Sequence, residues 1–297
     1  MSDFSLRTAA PDDLPAIHRV WYATETVGAA NPPPLGEPQP WLRHVLRMGT
    51  LLVSERDGAI IGFAGVIERG DLVFLTDLFV APQTQSYGVG GALLDAILPR
   101  DRRALATIGS SDPRALALYI RAGMTPEWPD FQIDVERERW RTANVDPGGV
   151  HMIEATPMDA ELLGWDAEIG GRSRPEEHRY WLEECAGTAF WFQRGGERIG
   201  YGYVRLAPET TLQPADMAVV GPLGVRDAGD GATCVIAAIS WALQRAPGTR
   251  LLVPGPHPAL RPLLDAGGRI EYVETFLCSA PPCVDATRYL PSDGDFF

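Results

Sequence analysis

The chain contains no lysine; all 26 of its basic residues are arginine. That excludes a Walker-type phosphate loop, which needs Gly-Lys-Ser/Thr. Positive charge is scarce overall. The arginines face 39 carboxylates, a net −13 with histidine neutral, and such a balance lacks the clustered cations that nucleic-acid phosphates require. It is compatible with small cationic substrates, although acidity commonly serves only solubility. The four cysteines (Cys185, Cys234, Cys278, Cys283) have no CxxC spacing and no paired histidines. Neither a zinc site nor a disulfide framework is expected, and free buried thiols are. No apolar run approaches the roughly 20 residues of a membrane span. The opening residues MSDFSLRTAAPDD lack a signal peptide's apolar core. The expectation is a soluble cytosolic protein without metal, membrane or nucleic-acid partner.

What is present is length enough for two domains of about 150 residues, 45% hydrophobic content, and one informative stretch, Leu72 to Leu98. Leu72 to Val80 is an apolar, β-branched run that predicts a buried strand. A polar turn, Ala81–Tyr87, leads to Gly88-Val89-Gly90-Gly91 and then to an amphipathic run, Ala92, Leu93, Leu94, Ile97 and Leu98, that predicts a helix. Strand, glycine loop and helix in that order aim unpaired backbone N–H groups and the positive helix end at one point, an anion site. Glycines let the backbone close on a polyanion. A dinucleotide fingerprint would need a third glycine three residues after Gly90, where Leu93 stands.

The remaining pattern, Gln85-x-x-Gly88-x-Gly90 after the strand end Val80, resembles the acyl-CoA loop of the GNAT acyltransferase superfamily, Gln/Arg-x-x-Gly-x-Gly/Ala. A second stretch strengthens the resemblance: Asp112-Pro-Arg-Ala115-Leu-Ala-Leu118-Tyr119, followed by Gly123-Met124, is similar to the superfamily's Asn-x-x-Ala-x-x-Leu-Tyr and Gly-Phe. The resemblance implies an acetyl-CoA co-substrate held by Leu78, Phe79, Val80, Gln85, Ser86, Tyr87, Gly88, Val89, Gly90, Gly91 and Asp112, with Asp112 at the asparagine position. It implies that the strands part at Leu78–Val80 and free an N–H for the thioester oxygen. It also implies that Tyr119 faces the sulfur and protonates the leaving thiolate. A phenol of pKa about 10 against a thiol of about 8.5 makes that a modest general acid; the alternative is a core tyrosine with a satisfied hydroxyl.

In order, the first half predicts strand Phe4–Thr8, helix Pro11–Thr24, a proline-rich loop Asn31–Pro40, and helix Trp41–Met48. Strands Thr50–Glu55 and Ala59–Glu68 follow, joined at Asp57-Gly58. After the central stretch come strand Ala104–Gly109, helix Pro113–Ala122 and a closing strand-rich run, Phe131–Glu138. The second half repeats this. TLLVSERDGAIIGFAGV (50–66) aligns without a gap with TAFWFQRGGERIGYGYV (188–204). Ala9, Pro11 and Asp13 match Ala155, Pro157 and Asp159; Pro113 and Gly123 match Pro258 and Gly267. Such self-similarity predicts duplication, with a junction near Thr142–Gly149. The fold class expected is α/β (α+β): two tandem GNAT-like domains, residues 1–143 and 149–297, each a mixed, mostly antiparallel sheet flanked by helices. The arrangement resembles that of mycothiol synthase and related bacterial tandem acyltransferases.

The second copy's loop is altered. In Arg226-x-x-Gly229-x-Gly231 the arginine directly follows Val225, and Asp227 and Asp230 put carboxylates where a diphosphate would sit. Leu263 and Leu264 stand in the tyrosine's place. This copy is expected to bind acyl-CoA poorly or not at all, and to support the first.

The expected function is transfer of acetyl from acetyl-CoA to the amine of a small molecule by direct attack, in the first domain; the alternative is a non-catalytic acyl-CoA sensor. The alternative draws support from the missing base. Phe74 and Thr76 hold the strand positions where family members often place an acid or histidine. Asp77 is adjacent, but strand alternation turns it from the cleft unless a bulge intervenes. Glu25, or a water on Thr76, is an equal candidate. Trp21, Tyr22, Trp41 and the Asn31–Pro40 loop are candidates for the acceptor wall, with core packing the commoner role for such aromatics. His18 and His44 are expected to be ordinary, and the Ser292–Phe297 tail a frayed terminus.

Overall fold

The computed structural model describes residues 3–85, 87–101, 103–143, 145–206, 212 and 216–292. Strand β1 (Ser5–Thr8) leads through a 3-10 turn to α1 (Leu14–Glu25), and α2 is Pro40–Met48. The meander β2 (Thr50–Arg56), β3 (Ala59–Arg69) and β4 (Leu72–Val80) follows. Its first turn has φ 53° at Asp57 and 76° at Gly58, the left-handed pair that a two-residue hairpin requires. Next come α3 (Val89–Ile97), β5 (Ala104–Ser110), α4 (Pro113–Arg121), β6 (Thr125–Glu136) and α5 (Arg137–Ala143). The second half runs β7 (His151–Glu154), α6 (Ala160–Ile169), α7 (Pro175–Glu183), β8 (Gly187–Arg194), β9 (Glu197–Arg205) and β10 (Met217–Val225). It ends with α8 (Ala228–Ala242), β11 (Gly248–Pro254), α9 (Leu260–Asp265), β12 (Arg269–Cys278) and β13 (Tyr289–Leu290).

The sequence repeat is kept in detail. The β2–β3 ladder slips between Ser54 and Glu55 and the β8–β9 ladder between Phe192 and Gln193, aligned positions in the two copies. Both parallel ladders, β4–β5 and β10–β11, are short and begin in the same register, at Leu72 opposite Ala104 and Met217 opposite Gly248.

The sequence makes Phe131–Glu138 the closing strand of the first unit. In the structure the last strands are exchanged. The sheet order is β1-β2-β3-β4-β5-β12-β6-β11-β10-β9-β8-β7. β12 leaves the second half to pair with β5, while β6 leaves the first to pair with β11; between them they pair with each other. Thirteen strands among the described residues thereby form one sheet. Local pattern cannot reveal this, because a strand's own alternation does not name its partner. Phe276 of β12 is fully buried and stacks on Trp128 at 4.5 Å. Its cluster joins Trp21, Trp41 and Phe74 of the first half to Trp165, Trp181 and Tyr201 of the second. Burial of each such side chain is worth about 1.5–3 kcal/mol, so this shared cluster ties the two halves together.

α1 and α2 present Ile17, Val20, Trp21, Trp41, Leu42 and Val45 to one face of the sheet, at helical spacing. α3 and α4 cover the other, around Leu93, Leu94 and Tyr119. Ion pairs and rings also bridge the halves: Arg69 Nη2 lies 2.5 Å from Glu177 Oε1, and His44 packs on Tyr180.

Candidate active site

The site begins where β4 and β5 part. Their parallel pairing ends at Leu75–Thr107, where Thr107 Oγ1 donates to the Leu75 carbonyl at 2.9 Å. β4 runs on to Val80 and β5 to Ser110, so their facing backbone edges diverge into a cavity of about 860 Å³. Leu78, Phe79 and Val80 line it, as do Gln85, Gly88, Gly90, Gly91, Asp112 and Tyr119. Val89 is buried and its side chain packs toward the α3 side of β3; Tyr87 points to solvent. Ser86 lies outside the described residues.

The loop is pinned at both ends. Ala81 N–H bonds the Ile61 carbonyl, Thr84 Oγ1 returns to the Ala81 carbonyl, and Gln85 Nε2 donates to the Val80 carbonyl at 3.2 Å. Gly88 is the N-cap of α3 at φ 84°, a conformation that costs glycine little and a β-branched residue much. A Cβ on Gly88 would meet nothing within 4 Å, and one on Gly90 only Leu118 and Val80 at 3.4 and 3.6 Å. Side chains at these positions would fill the cavity, so the glycines keep a cradle in front of the first N–H groups of the helix. Those groups have no partner within the helix. The donor set fits the diphosphate of an acyl-CoA. Asp112 caps α4 through the Arg114 N–H at 2.8 Å and pairs with the Arg114 guanidinium at 2.6 Å, which holds its carboxyl below the ordinary range. It positions the helix that carries Tyr119.

Tyr119 packs beside Gly109, where a Cβ would come within 2.7 Å of the ring. Burial pushes the phenol well up, and the charges of Asp77, Asp112 and Glu274 push it further. It therefore keeps its proton tightly.

The Thr76–Asp77 pair departs from simple alternation. The β3–β4 ladder slips between Gly65 and Val66, opposite Asp77 and Leu75, leaving Thr76 as the extra residue of a bulge. Phe74 faces the α1–α2 core and Leu75 the α3–α4 core, yet Phe79 returns to the first and Val80 to the second. Two residues five apart cannot share a face in a regular strand; the bulge shifts the phase. Thr76 and Asp77 consequently lie on the same side, both against Gly65, where a Cβ would come within 2.6 Å of Thr76 Oγ1 and 2.7 Å of Asp77 Oδ2. Thr76 Oγ1 donates to Asp77 Oδ2 at 2.6 Å, and Asp77 Oδ1 has no hydrogen-bond partner among the described residues. Both residues line the cavity. Burial pushes the Asp77 carboxyl up to about 7, the Thr76 hydroxyl pulling against it.

Thr24 and Glu25 at the end of α1 line the cavity too, and burial raises the Glu25 carboxyl. Trp21 and Trp41 are core residues that touch each other edge-on, and Tyr22 donates to the Pro33 carbonyl; none of the three lines the cavity. His18 is buried on Trp21 with Gln39 at 2.9 Å. Sequence reasoning missed Arg114 and Arg121 of α4, and Tyr272 and Glu274 of β12, all cavity residues. For the β12 pair no sequence signal existed, because only the strand exchange brings them there. Ser292 is buried, its carbonyl accepting from Arg205 at 2.6 Å; the tail 293–297 lies outside the described residues. Among the described residues, no group of three or more His, Cys, Asp or Glu could hold a metal, and no helix is long and apolar enough to cross a membrane.

Residues 47–125 match the family profile of the acetyltransferase (GNAT) domain. A Pyrococcus horikoshii protein assigned as an acetyltransferase superposes with a TM-score of 0.77 at 14% identity, over 100% of this chain and 97% of its own. The GCN5-related glucosamine N-acetyltransferase region of a fungal multi-domain GH3 beta-N-acetylglucosaminidase gives 0.69 at 15%, over 94% of this chain and 38% of that one. A tandem GNAT protein from the clavulanic acid biosynthesis pathway gives 0.61 at 16%, over 94% and 99%. No curated protein matches the sequence. Within the first half, residues 47–125 thus resemble an acetyltransferase (GNAT) domain, and over most of its length the chain shares the fold of a tandem GNAT protein.

Proposed function

We propose that the protein is an acyl-CoA-dependent N-acetyltransferase whose first unit moves acetyl from acetyl-CoA to the primary amine of a small molecule by direct attack. The observation that carries this is the continuity of one cavity from the Gly88–Gly91 cradle, past the unpaired edge of Leu78–Val80, to Asp77 and Tyr119. Acetyl-CoA, when bound, supplies the activated acyl group. The α3 N-terminus would take the diphosphate, each N–H contributing about 1.5–3 kcal/mol to a charged acceptor. A free N–H of Leu78–Val80 would receive the carbonyl oxygen. Asp77, with its carboxyl near 7 and Thr76 holding Oδ2, would accept the proton of the entering amine. Tyr119 would donate to the sulfur as charge builds there.

The sensor alternative drew on the lack of a base at Phe74 and Thr76; a buried carboxyl in the cleft at Asp77 weighs against it. The decisive experiment is thiol release with acetyl-CoA and a panel of primary amines, in the wild-type protein and in Asp77→Asn. Amine-dependent release that falls by orders of magnitude in the variant is expected. No release with any amine, together with tight acetyl-CoA binding, would restore the sensor.

A further inference from the structure

The ionisable groups around the cavity are unevenly placed, and the acid at the start of α4, Asp112, is already paired with Arg114. The cavity's arginines, Arg114 and Arg121, both stand on α4. Away from α4 the lining carries acids: Glu25 at the last turn of α1, Asp77 on β4, and Glu274 on β12. The last turn of α1 has no basic residue, so the negative end of its dipole adds to the same field. Tyr272 stands two residues before Glu274, its ring half-exposed. Glu274 lies opposite Ser110, at the mouth where β5 ends. The phenol of Tyr272 is raised by burial and then by Glu274 and Glu25, and Tyr119 feels Glu274 as well, so the acids share one space. Asp77 lines that space with a buried oxygen lacking any partner among the described residues. An attacking amine needs only one acid to receive its proton. The cavity presents two more away from α4, Glu25 and Glu274.

On the reading that this cleft transfers acetyl to amines, we propose that the acceptor carries a second positive charge, held by Glu25 and by Glu274 of the exchanged strand, with Tyr272 as its aromatic wall. The second half of the chain then selects the substrate of the first. A cation held between two carboxylates and a tyrosine ring at the cavity mouth gains charge-assisted bonds and a cation–π contact, while a substrate ending in a carboxylate is repelled.

Three acceptors of equal length isolate the effect: diaminobutane, butylamine and γ-aminobutyrate, differing in whether the far end is positive, neutral or negative. With acetyl-CoA, kcat/KM for diaminobutane should exceed that for butylamine by about 10- to 100-fold, mainly through KM, with γ-aminobutyrate lowest. Glu274→Gln should shrink the diamine preference about tenfold, and Glu25→Gln, on a different element, should do the same if the first variant folds poorly. Equal kcat/KM for diamine and monoamine, or a preference untouched by both variants, would overturn the proposal. If no acceptor releases thiol, acyl transfer itself fails as a reading. Calorimetric binding of diaminobutane and butylamine to the CoA-loaded protein then still decides this one: a preference lost in Glu274→Gln supports it, equal affinity refutes it.

Discussion

The two halves of this chain repeat one arrangement of strands, and the second shows what closing the cleft requires. In the first half, β4 beyond Leu75 has an open edge toward β5. In the second, β10 parts from β11 in the same register after Val219–Arg250, but β13 fills the gap. Tyr289 pairs with Gly224, Leu290 with Leu223, and Val225 N–H bonds the Arg288 carbonyl at 2.9 Å. By ladder register these are the counterparts of Leu78–Val80, so the edge offered to a ligand in one half is satisfied by the chain itself in the other. The bulge persists while its chemistry is gone: Gly221 and Pro222 stand where Thr76 and Asp77 do, and Tyr203 where Gly65 leaves room. Tyr203 joins a buried net in which Arg174 and His178 clamp Asp166 at 2.7 and 2.9 Å. The loop has vanished too. α8 starts three residues after β10 ends, so Gly229 and Gly231 lie within the helix, and Asp227 spends its carboxylate on the Gly229 N–H at 2.8 Å. The scaffold repeats, and in the second half β13 and the Tyr203 net occupy the place that the first leaves open.

The comparison breaks most sharply at Asp77. Asp77→Asn should lower kcat/KM about 10³-fold and abolish the limb on which wild-type activity rises with pH toward about 7. The same variant should be more stable at pH 8. A carboxyl raised from about 3.9 to about 7 binds its proton more tightly in the native state, so stability is full below pH 4 and is lost as pH rises through 7. The amide escapes that loss, and its Tm at pH 8 should exceed wild type by a few °C. A variant both inactive and less stable would point to a merely structural carboxylate. Next, Tyr119→Phe should cost about 10² in kcat while leaving the KM for acetyl-CoA nearly unchanged; equal turnover removes Tyr119 from the chemistry.

Much of this contrast was legible in the sequence. The repeat, the loop and the Leu72–Val80 strand rest on local patterns of apolar period and glycine placement, and Arg226, Asp227 and Asp230 already mark the second loop as altered. Asp77 was not, because a bulge depends on how Gly65 and Val66 pair across the ladder, and alternation alone sends residue 77 to the other face. Tyr272 and Glu274 were further out of reach, since strand partners at such separation leave no periodic trace. β13 is two residues long, too short for any pattern to declare.

Smaller effects sharpen the asymmetry. Gly88→Val forces φ 84° on a β-branched residue and should raise the KM for acetyl-CoA about tenfold with kcat little changed, read from initial rates. Calorimetry of the wild-type protein should give one acetyl-CoA per chain; two would mean that β13 leaves the second cleft.

The smallest effect concerns the residue that aligns with Gln85. Arg226 would be the obvious phosphate ligand if the second loop were a working one. Its guanidinium instead lies 3.6 Å over the ring of Trp165, on α6, and its N–H bonds the Ile199 carbonyl just as Ala81 bonds Ile61. It is thus a strand-end residue with a packing role, for which a cation–π contact of about 0.5–1 kcal/mol is the relevant scale. Arg226→Ala should lower Tm by about 1–2 °C and leave both turnover and the stoichiometry of acetyl-CoA binding unchanged. A fall in cofactor affinity in this variant would show that the later half still takes part in holding the phosphates, and the division of labour drawn above would have to be redrawn around two working loops.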